Sequence, residues 1–414
     1  MKLVSAFATA TALLAASAVA APALAAAQAP AAAQPAPRAY KLSKEEKAAL
    51  QPLQAAIGAK DWAKATSLLP AAQAAAQSPD AKYVFGQLEL QIGLGVPDTQ
   101  MQAKAVNDLI ASGGALPSEM PALYRNQGAF ALQAHNNAAA EAAYSQALTL
   151  TPNDADAYIN LAKIKAEAKK PQEAVQLIDK AIALKTAAGE KADETWYKYA
   201  LKLAYDNHMR PDSLRLSREL VAAYPTPSNW RDTLIIFRDG TTLDKGASLD
   251  LLRLMRASKA LAGERDYYDL AEGLGTSGLP GEEQAVLQEG AAARAIDLNK
   301  AAFRDLMSSA SARVAADRAS LAGIEAKALA APTGTIALNT GDAYFGYGDY
   351  AKAVSLYQAA LGKSGVDANA VNMHLGMALA LSGDRAGAEA AFRKVTGPRG
   401  EVAALWMAWL ARRA

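Results

Sequence analysis

A pattern of small and large apolar residues repeats every 34 residues in the middle of the chain. The first copy comprises Tyr124, Gly128, Ala140, Tyr144, Ala147 and Pro152. The second copy has Tyr158, Ala162, Ala174, Ile178 and Ala181 at the same offsets. Each copy predicts two packed helices. A small residue on the first helix lets the second helix approach it closely, and apolar residues at i, i+4 and i+7 form one face of the second helix. Pro152 ends the first unit, because proline cannot continue a helix. Such units bury their apolar faces only against neighbours, so the repeat predicts a tandem array of hairpins.

Two further copies of the pattern lie near the C-terminus. One comprises Gly341, Tyr344, Gly348-Asp349-Tyr350, Ala353, Tyr357 and Ala360. The other, 35 residues later, comprises Gly376, Leu379, Gly383-Asp384-Arg385, Ala388, Phe392 and Val395. At these residues the chain resembles tetratricopeptide repeat proteins of the exported bacterial type. The resemblance implies an all-α fold, a right-handed α-solenoid of tandem helical hairpins, that binds a protein or peptide and has no cofactor.

Weaker units fill the rest of the chain, and residues 226–332 keep a helix–turn–helix rhythm while losing the signature. The last segment, beginning at Glu401, is expected to cover the exposed face of the final repeat, since a terminal unit needs a cap. The predicted organisation is a signal peptide over 1–25, an Ala/Pro-rich linker over 26–39, an N-terminal repeat array over 40–225, a divergent helical-hairpin region over 226–332, a C-terminal repeat pair over 333–400 and a capping helix over 401–414.

The N-terminus has the pattern of a secretory signal. Lys2 is the only charge before Arg38, and an apolar run leads into Ala23-Leu24-Ala25, a small-x-small cleavage site. We expect cleavage after Ala25 or Ala27 and a periplasmic protein without a membrane span in its mature form. The alternative is an uncleaved anchor, because the run is long enough to cross a bilayer. The chain contains no cysteine, which excludes disulfides and thiolate metal sites.

Composition narrows the class of protein and of partner. A chain of 414 residues would ordinarily be expected to form two or three compact domains. In a tandem array of hairpins, however, additional length extends the binding surface instead of adding domains. A hydrophobic fraction of 51% excludes a largely disordered chain. With 43 basic and 41 acidic residues the net charge is +2, so no global field attracts nucleic acid. Protein is therefore the expected partner.

Signals for catalysis are weak. His135, His208 and His374 are scattered without metal-ligand spacing, so we predict no metal site. The segment from Gly273 to Gly278 satisfies G-x-G-x-x-G, but it follows a predicted helix rather than a strand and is interpreted as a hairpin turn.

The alternative function is a helical enzyme, or enzyme subunit, acting on cell-wall or exported glycan. Its only candidate acids lie in the divergent region: Glu264, Glu272, Glu282 and Glu283. Glu282 and Glu283 are better interpreted as a helix start, where negative charge suits the helix dipole.

The resemblance also implies a concave groove lined by the first helix of each repeat. The residues expected there are Arg125, Asn126, Asn160, Lys163 and Lys198, with Asn339 and His374 at the C-terminal end. Some family members grip a terminal carboxylate with five Lys, Arg and Asn residues. Arg125, Asn160 and Lys198 fall at three of those positions, but Ala129 and Glu194 replace the other two, so the clamp is incomplete.

Aromatic residues are assigned mainly to the core. Tyr144, Tyr158, Trp196 and Tyr357 occupy positions that pack helix against helix. Tyr347 and Trp409 lie outside the repeat pattern and remain candidates for exposed rings that could bind sugar.

Overall fold

The computed structural model describes residues 38–412, so the predicted signal peptide and most of the linker lie outside the described residues. Over the described part the chain is all-α, with 20 helices and a single isolated bridge between Thr333 and Ser364. No helix between residues 38 and 412 is long and apolar enough to cross a membrane. The helices group into two compact units, with the boundary in the chain between Ala192 and Asp193.

The N-terminal unit consists of four consecutive helical hairpins. Its helices are α1 (Lys44–Gly58), α2 (Trp62–Ala75), α3 (Pro79–Gly95), α4 (Thr99–Ala111), α5 (Met120–Gln133), α6 (Asn137–Leu150), α7 (Ala155–Glu167) and α8 (Pro171–Ala187). Within each hairpin the two helices pack together, and the hairpins follow one another through contacts between α2 and α3, α4 and α5, and α6 and α7.

Polar residues with a left-handed backbone conformation build the hairpin turns. Lys60, His135 and Lys169 each adopt a positive φ of 56–58°. The next helix then begins at once: Asp61 accepts a hydrogen bond from the Lys64 amide, and Asn136 accepts one from the Ala139 amide, both at 3.1 Å. These N-caps satisfy amides that have no partner inside the helix, and they fix where each second helix begins.

The C-terminal unit contains the remaining helices. They are α9 (Glu194–Asp206), α10 (Arg210–Ala223), α11 (Pro227–Gly240), α12 (Lys245–Ala257), α13 (Gly263–Thr276), α14 (Pro280–Ala292), α15 (Ala301–Ala330), α16 (Thr335–Gly346), α17 (Tyr350–Leu361), α18 (Ala368–Ser382), α19 (Arg385–Phe392) and α20 (Gly397–Leu410). The segment 273–278 forms the end of α13 and its turn, as interpreted from the sequence.

The divergent region departs from the expected hairpin rhythm at α15. This single helix has 30 residues and buries only Phe303, Ala310, Leu321 and Ala328. It packs against α14 and α16, while α14 also contacts α16 directly. The sequence from Ala301 to Ala330 has no proline and one glycine, so nothing in it ends the helix and creates a turn.

Helix α20 packs on the last repeat and on earlier helices of the C-terminal unit, and it begins at Gly397, four residues before the predicted start. It contacts α18 and α19 and also α10 and α12 of the same unit. Trp406 is fully buried in these contacts, and its indole Nε1 donates to the Asp250 carbonyl oxygen at 3.2 Å. The C-terminal helix therefore joins the end of the C-terminal unit back to its earlier helices.

Most of the residues predicted to pack the repeats are buried. The buried ones are Gly128, Ala140, Tyr144, Ala147, Ala162, Ala174, Gly341, Ala353, Tyr357, Gly376, Ala388 and Phe392. Tyr124 and Tyr158 are half-buried, as is Trp196, and Pro152 is exposed in the turn between α6 and α7. The repeat frame deduced from the sequence is therefore the frame of the packed hairpins.

Candidate functional site

A charged cleft opens on the N-terminal unit between α5, the start of α7 and the end of α8. Its volume is about 290 Å³, and its charged lining residues are Arg125, Asp154, Asp156, Lys185 and Glu190. Arg125 Nη1 lies 3.1 Å from Asp154 Oδ2, and Lys185 Nζ lies 2.7 Å from Glu190 Oε2. Asp154 also caps α7 by accepting from the Ala157 amide at 3.1 Å. The cleft thus presents paired charges of both signs.

The other predicted groove residues of the N-terminal unit lie on the same two first helices. Asn126 follows Arg125 on α5 and is buried. Asn160 is half-buried on α7, and Lys163 is exposed one turn later. None of the three lines the charged cleft.

Lys198 belongs to the C-terminal unit, on α9, and is ion-paired within its own helix. Its ammonium lies 2.8 Å from Glu194 Oε1. The same carboxylate accepts from the Asn229 amide nitrogen at 2.9 Å. Glu194, which the sequence placed where a lysine would be needed, is therefore the partner of Lys198. A ligand carboxylate would have to displace Glu194 to reach this lysine.

At the C-terminal end Asn339 is exposed on α16, whereas His374 lies inside a buried charged cluster. We use this term for Asp250 and Arg253 of α12, Glu282 of α14, Asp342 of α16, His374 of α18 and Arg399 of α20. His374 Nδ1 lies 2.6 Å from Asp342 Oδ1 and Nε2 lies 3.2 Å from Asp250 Oδ1. Both ring nitrogens are therefore engaged by carboxylates.

The charges of the six residues in the cluster sum to zero when His374 is protonated. Outside these six, Glu282 also lies 3.9 Å from Arg256 Nη1, and Arg399 also pairs with Asp244 and Asp367. Arg253 Nη2 lies 2.6 Å from Glu282 Oε2, and Arg399 Nε lies 3.2 Å from Asp250 Oδ2. Two guanidiniums thus face three carboxylates. Burial by itself would lower the pKa of His374, but Asp342 and Asp250 outweigh it and raise the pKa to about 9. The imidazolium supplies the missing positive charge and is a structural group joining three helices.

Three of the four carboxylates that were candidates for catalysis are held in ion pairs, and the fourth, Glu272, is exposed on α13. Glu282 binds Arg253, and Glu283 Oε2 lies 2.7 Å from Arg313 Nη2. Burial raises the pKa of Glu283, against the opposing effect of Arg313. Glu264 binds Lys300 at 2.5 Å. Glu282 and Glu283 stand in the first turn of α14, as predicted, but their side chains are buried.

The two aromatic rings proposed for sugar binding have different surroundings. Trp409 is buried and packs edge to face on Trp406, so it is not the exposed ring that the sequence suggested. The hydroxyl of Tyr347 donates to Asp317 Oδ2 at 2.6 Å, and the Arg318 guanidinium stacks on its ring. Tyr347 is thus held against α15 and is only half-exposed.

A second cleft, which the sequence interpretation missed, lies between α1, α3 and residues 39–42. We call it the N-terminal cleft; its volume is about 350 Å³. Its lining includes the apolar side chains of Leu42, Leu50, Ile57, Val84 and Leu88, the charged Lys47, and four glutamines, Gln51, Gln54, Gln87 and Gln91. Tyr40 also lines it, and its hydroxyl donates to Gln87 Oε1 at 3.3 Å. The glutamines recur at helical spacings of three and four residues, and that periodicity is the signal by which the sequence could have revealed the cleft.

Comparison with known proteins identifies the repeats. The family model for the tetratricopeptide repeat matches residues 128–190 and 338–401. None of the curated proteins matches the chain. Among solved structures, a tetratricopeptide repeat protein from Parabacteroides merdae is 10% identical over 81% of this chain and 100% of its own, with a TM-score of 0.34.

Two shorter solved structures are similar to parts of the chain. The MamA protein is 14% identical over 43% of this chain and 91% of its own, with a TM-score of 0.33. YrrB, described as a tetratricopeptide repeat protein with an unusual peptide-binding site, is 12% identical over 44% of this chain and 89% of its own, also with a TM-score of 0.33. The assignment of tetratricopeptide repeats rests on the helical hairpins and on the family-model match to residues 128–190 and 338–401. It does not rest on these distant structural similarities.

Proposed function

Because residues 128–190 and 338–401 of this chain are tetratricopeptide repeats, we propose that it is a non-catalytic scaffold of the bacterial cell envelope that binds proteins or peptides. Proteins with these repeats bind protein or peptide partners. The charged cleft of the N-terminal unit is the observation that carries the proposal. It is formed by two consecutive hairpins, it is open to solvent, and its charged groups are already positioned by ion pairs and an N-cap.

The chemistry of the charged cleft selects the kind of ligand. Arg125 faces Asp154 at 3.1 Å, so a lone carboxylate would gain Arg125 only by displacing a partner that is itself fixed at the start of α7. A ligand that carries both a carboxylate and a cation can bind the basic and the acidic residues of the cleft at the same time. Every charge of the two ion pairs then keeps a partner of opposite sign. A polar peptide segment with mixed charge fits this requirement better than a terminal carboxylate alone.

The envelope location rests on the sequence of the N-terminus. If the chain is exported, sequencing the N-terminus of protein isolated from its host will give a start near Ala26 or Gln28. An intact Met1 in the membrane fraction would instead support the uncleaved anchor and contradict a periplasmic scaffold.

Site-specific photo-crosslinking in cells tests the binding function. A benzoylphenylalanine at Asp156, in the charged cleft, is compared with one at Lys180, which is exposed on α8 but outside the cleft. We expect a discrete crosslinked protein from position 156 that is absent from position 180, identified by mass spectrometry. The crosslink should be lost with Lys185→Glu. The same products from both positions, or none from position 156, would refute this cleft as the binding site.

Three of the four carboxylates that would have to carry the enzyme alternative are held in ion pairs. Glu264, Glu282 and Glu283 are each paired with a lysine or arginine, and the last two are buried. A general acid or base must reach a substrate proton, which a buried and paired carboxylate does not do.

A further inference from the structure

A cleft of about 540 Å³ lies in the C-terminal unit between α12, α14 and the turn that joins α16 to α17. Helices α18 and α20 also contribute to its lining. We call it the aromatic cleft, and the lining residues that a ligand would meet first are Arg256, Lys259, Glu289, Phe345 and Tyr350. Small-molecule sites in proteins typically measure about 300–1,000 Å³ and combine apolar walls with a few polar groups. The aromatic cleft therefore has the size and lining of a site for a small molecule.

Two aromatic rings that line the cleft pack against each other. Phe345 and Tyr350 lie edge to face, with ring centroids 5.4 Å apart and planes inclined at 65°. The Arg253 guanidinium lies 5.1 Å from the centroid of Phe345. Tyr350 is half-buried, and its hydroxyl has no hydrogen-bond partner within residues 38–412. A flat ligand ring can extend this group of rings, because aromatic rings favour edge-to-face and offset contacts with one another.

The cleft keeps one positive charge that its own carboxylates do not neutralise. Glu282 lies 2.6 Å from a nitrogen of Arg253, and Glu289 lies 2.8 Å from a nitrogen of Arg256. Lys259, the fifth charged residue of the lining, is exposed in the turn after α12 and forms no ion pair within the part of the chain that the structure describes. A ligand with one negative charge would balance this lysine. A phosphate would carry about 1.5–2 negative charges into a cleft that already holds two carboxylates.

Several hydrogen-bond donors remain for a ligand anion. Arg256 uses its Nε on Glu289, while its Nη1 lies 3.9 Å from Glu282, beyond hydrogen-bond distance. Burial raises the pKa of Tyr350, against the opposing effect of Arg256, so the phenol keeps its proton at neutral pH. The Lys259 ammonium adds further donors. Hydrogen bonds from such cations to a carboxylate are short and strong.

We propose that the aromatic cleft binds a small aromatic carboxylate, whose ring packs on Phe345 and Tyr350 and whose carboxylate is bound by Lys259. Arg256 and the Tyr350 hydroxyl supply further hydrogen bonds. The site lies apart from the charged cleft and adds a small-molecule ligand to the protein or peptide partner proposed above. Because the cleft exists only when its helices are packed together, the bound ligand stabilises the folded C-terminal unit.

Isothermal titration of the full-length chain with four matched probes tests the class of ligand. β-Naphthoate combines a flat ring with one carboxylate. β-Naphthylmethylammonium reverses the charge, decalin carboxylate keeps the charge without a flat ring, and β-naphthyl phosphate carries the larger charge. We expect a one-to-one complex with β-naphthoate, and a dissociation constant at least about tenfold higher for the ammonium probe. Decalin carboxylate and the phosphate should bind several-fold more weakly than β-naphthoate.

Matched variants decide whether β-naphthoate occupies the aromatic cleft. Lys259→Gln should weaken its binding about tenfold, and Tyr350→Phe, which removes only the hydroxyl, several-fold. Lys169→Gln is the control for the lysine, because Lys169 is also exposed in a turn and has the same φ of 58°. Tyr205→Phe, at an exposed tyrosine outside the cleft, is the control for the hydroxyl. Both controls should leave binding unchanged.

Hydrogen exchange measured by mass spectrometry locates the ligand. β-Naphthoate should slow exchange in residues 253–260 and 345–350 and leave α1 to α8 unchanged. Circular dichroism of each variant without ligand shows that the helices remain folded. The proposal is overturned if β-naphthoate does not bind, if the four probes bind equally, or if Lys259→Gln and Tyr350→Phe leave its binding unchanged. Tighter binding of the phosphate than of the carboxylate would equally overturn the assigned ligand class.

Discussion

Gly128 of α5 lies against the ring of Tyr144 of α6: a Cβ at Gly128 would stand 2.8 Å from the ring carbon Cε2. The same contact, at the same separation in sequence, joins Gly341 to Tyr357 and Gly376 to Phe392. In three hairpins, therefore, a glycine on the first helix leaves the space that an aromatic ring on the second helix fills. This pair is what brings the two helices close together.

Gly128→Ala should lower the free energy of unfolding of the N-terminal unit by about 1–3 kcal/mol, because the added methyl group overlaps a ring that is itself buried. Tyr144 has 2% exposure and cannot move aside without disturbing its own neighbours. Urea unfolding followed by circular dichroism measures the change. Gly58→Ala is the control, since a Cβ at this helical residue of α1 meets nothing within 4 Å. That variant should be neutral or slightly stabilising, and equal losses in both variants would show that the ring contact is not the cause.

Glu46 ties the beginnings of two helices together. Its carboxylate accepts from the Ser43 amide at 2.8 Å, which completes the cap of α1, and from the Ser78 amide at 2.8 Å, just before α3. These backbone hydrogen bonds lower the pKa of Glu46 to about 2. Because the folded pKa lies below the ordinary value, the stabilisation is present above about pH 4.5 and is lost as the pH falls towards 2.

Glu46→Gln should therefore cost about 2–3 kcal/mol at neutral pH and much less near pH 2. The measurement is the free energy of unfolding as a function of pH for both proteins. Glu45→Gln, at the exposed neighbouring position in the same first turn, should leave the curve nearly unchanged. A loss in Glu46→Gln that stays constant down to pH 2 would mean that the carboxylate charge is not the source of the stability.

Deprotonation of His374 should lower the stability of the C-terminal unit at alkaline pH. Its folded pKa of about 9 lies above the ordinary value of 6.5, so its contribution is complete below pH 6.5 and is lost as the pH rises through 9. The shift corresponds to at most about 3 kcal/mol. Loss of the proton would leave Asp250 and Asp342 without the cation that lies between them.

His374→Asn should lower the stability at neutral pH and flatten its dependence between pH 6.5 and 9, as measured by thermal melts across that range. His208→Asn is the control in the same unit, because His208 is exposed in the turn before α10. A slope that persists in His374→Asn would assign the alkaline transition to another group.

The sequence predicted the hairpins well where the packing is local. Gly128 and Tyr144, sixteen residues apart, meet because one short turn folds their helices together, so their spacing carries the information. By contrast, Asp250, His374 and Arg399 meet only because α20 packs back onto α12, and no spacing in the sequence encodes that return.

The candidate sites were less predictable for the same reason. Arg125 and Lys198 were identified as groove cations, but their partners Asp154 and Glu194 turn them into neutral pairs, which only the folded geometry reveals. Trp409 stood outside the repeat pattern and was a candidate for an exposed ring, yet α20 buries it. Residues outside a repeat take their environment from distant parts of the chain.

Trp406 holds α20 against the earlier helices, which gives the last prediction. Its ring is fully buried, stacks on Phe392 and donates to the Asp250 carbonyl oxygen. Trp406→Ala should destabilise the C-terminal unit by about 3–5 kcal/mol through the cavity it leaves. Hydrogen exchange measured by mass spectrometry should then speed up in α12 as well as in α20, while α1 to α4 keep their protection. Met407→Ala, at a half-buried position on the same helix, should change exchange much less. If α12 keeps its protection from hydrogen exchange in Trp406→Ala, α20 covers the last repeat but does not stabilise the earlier helices of the unit.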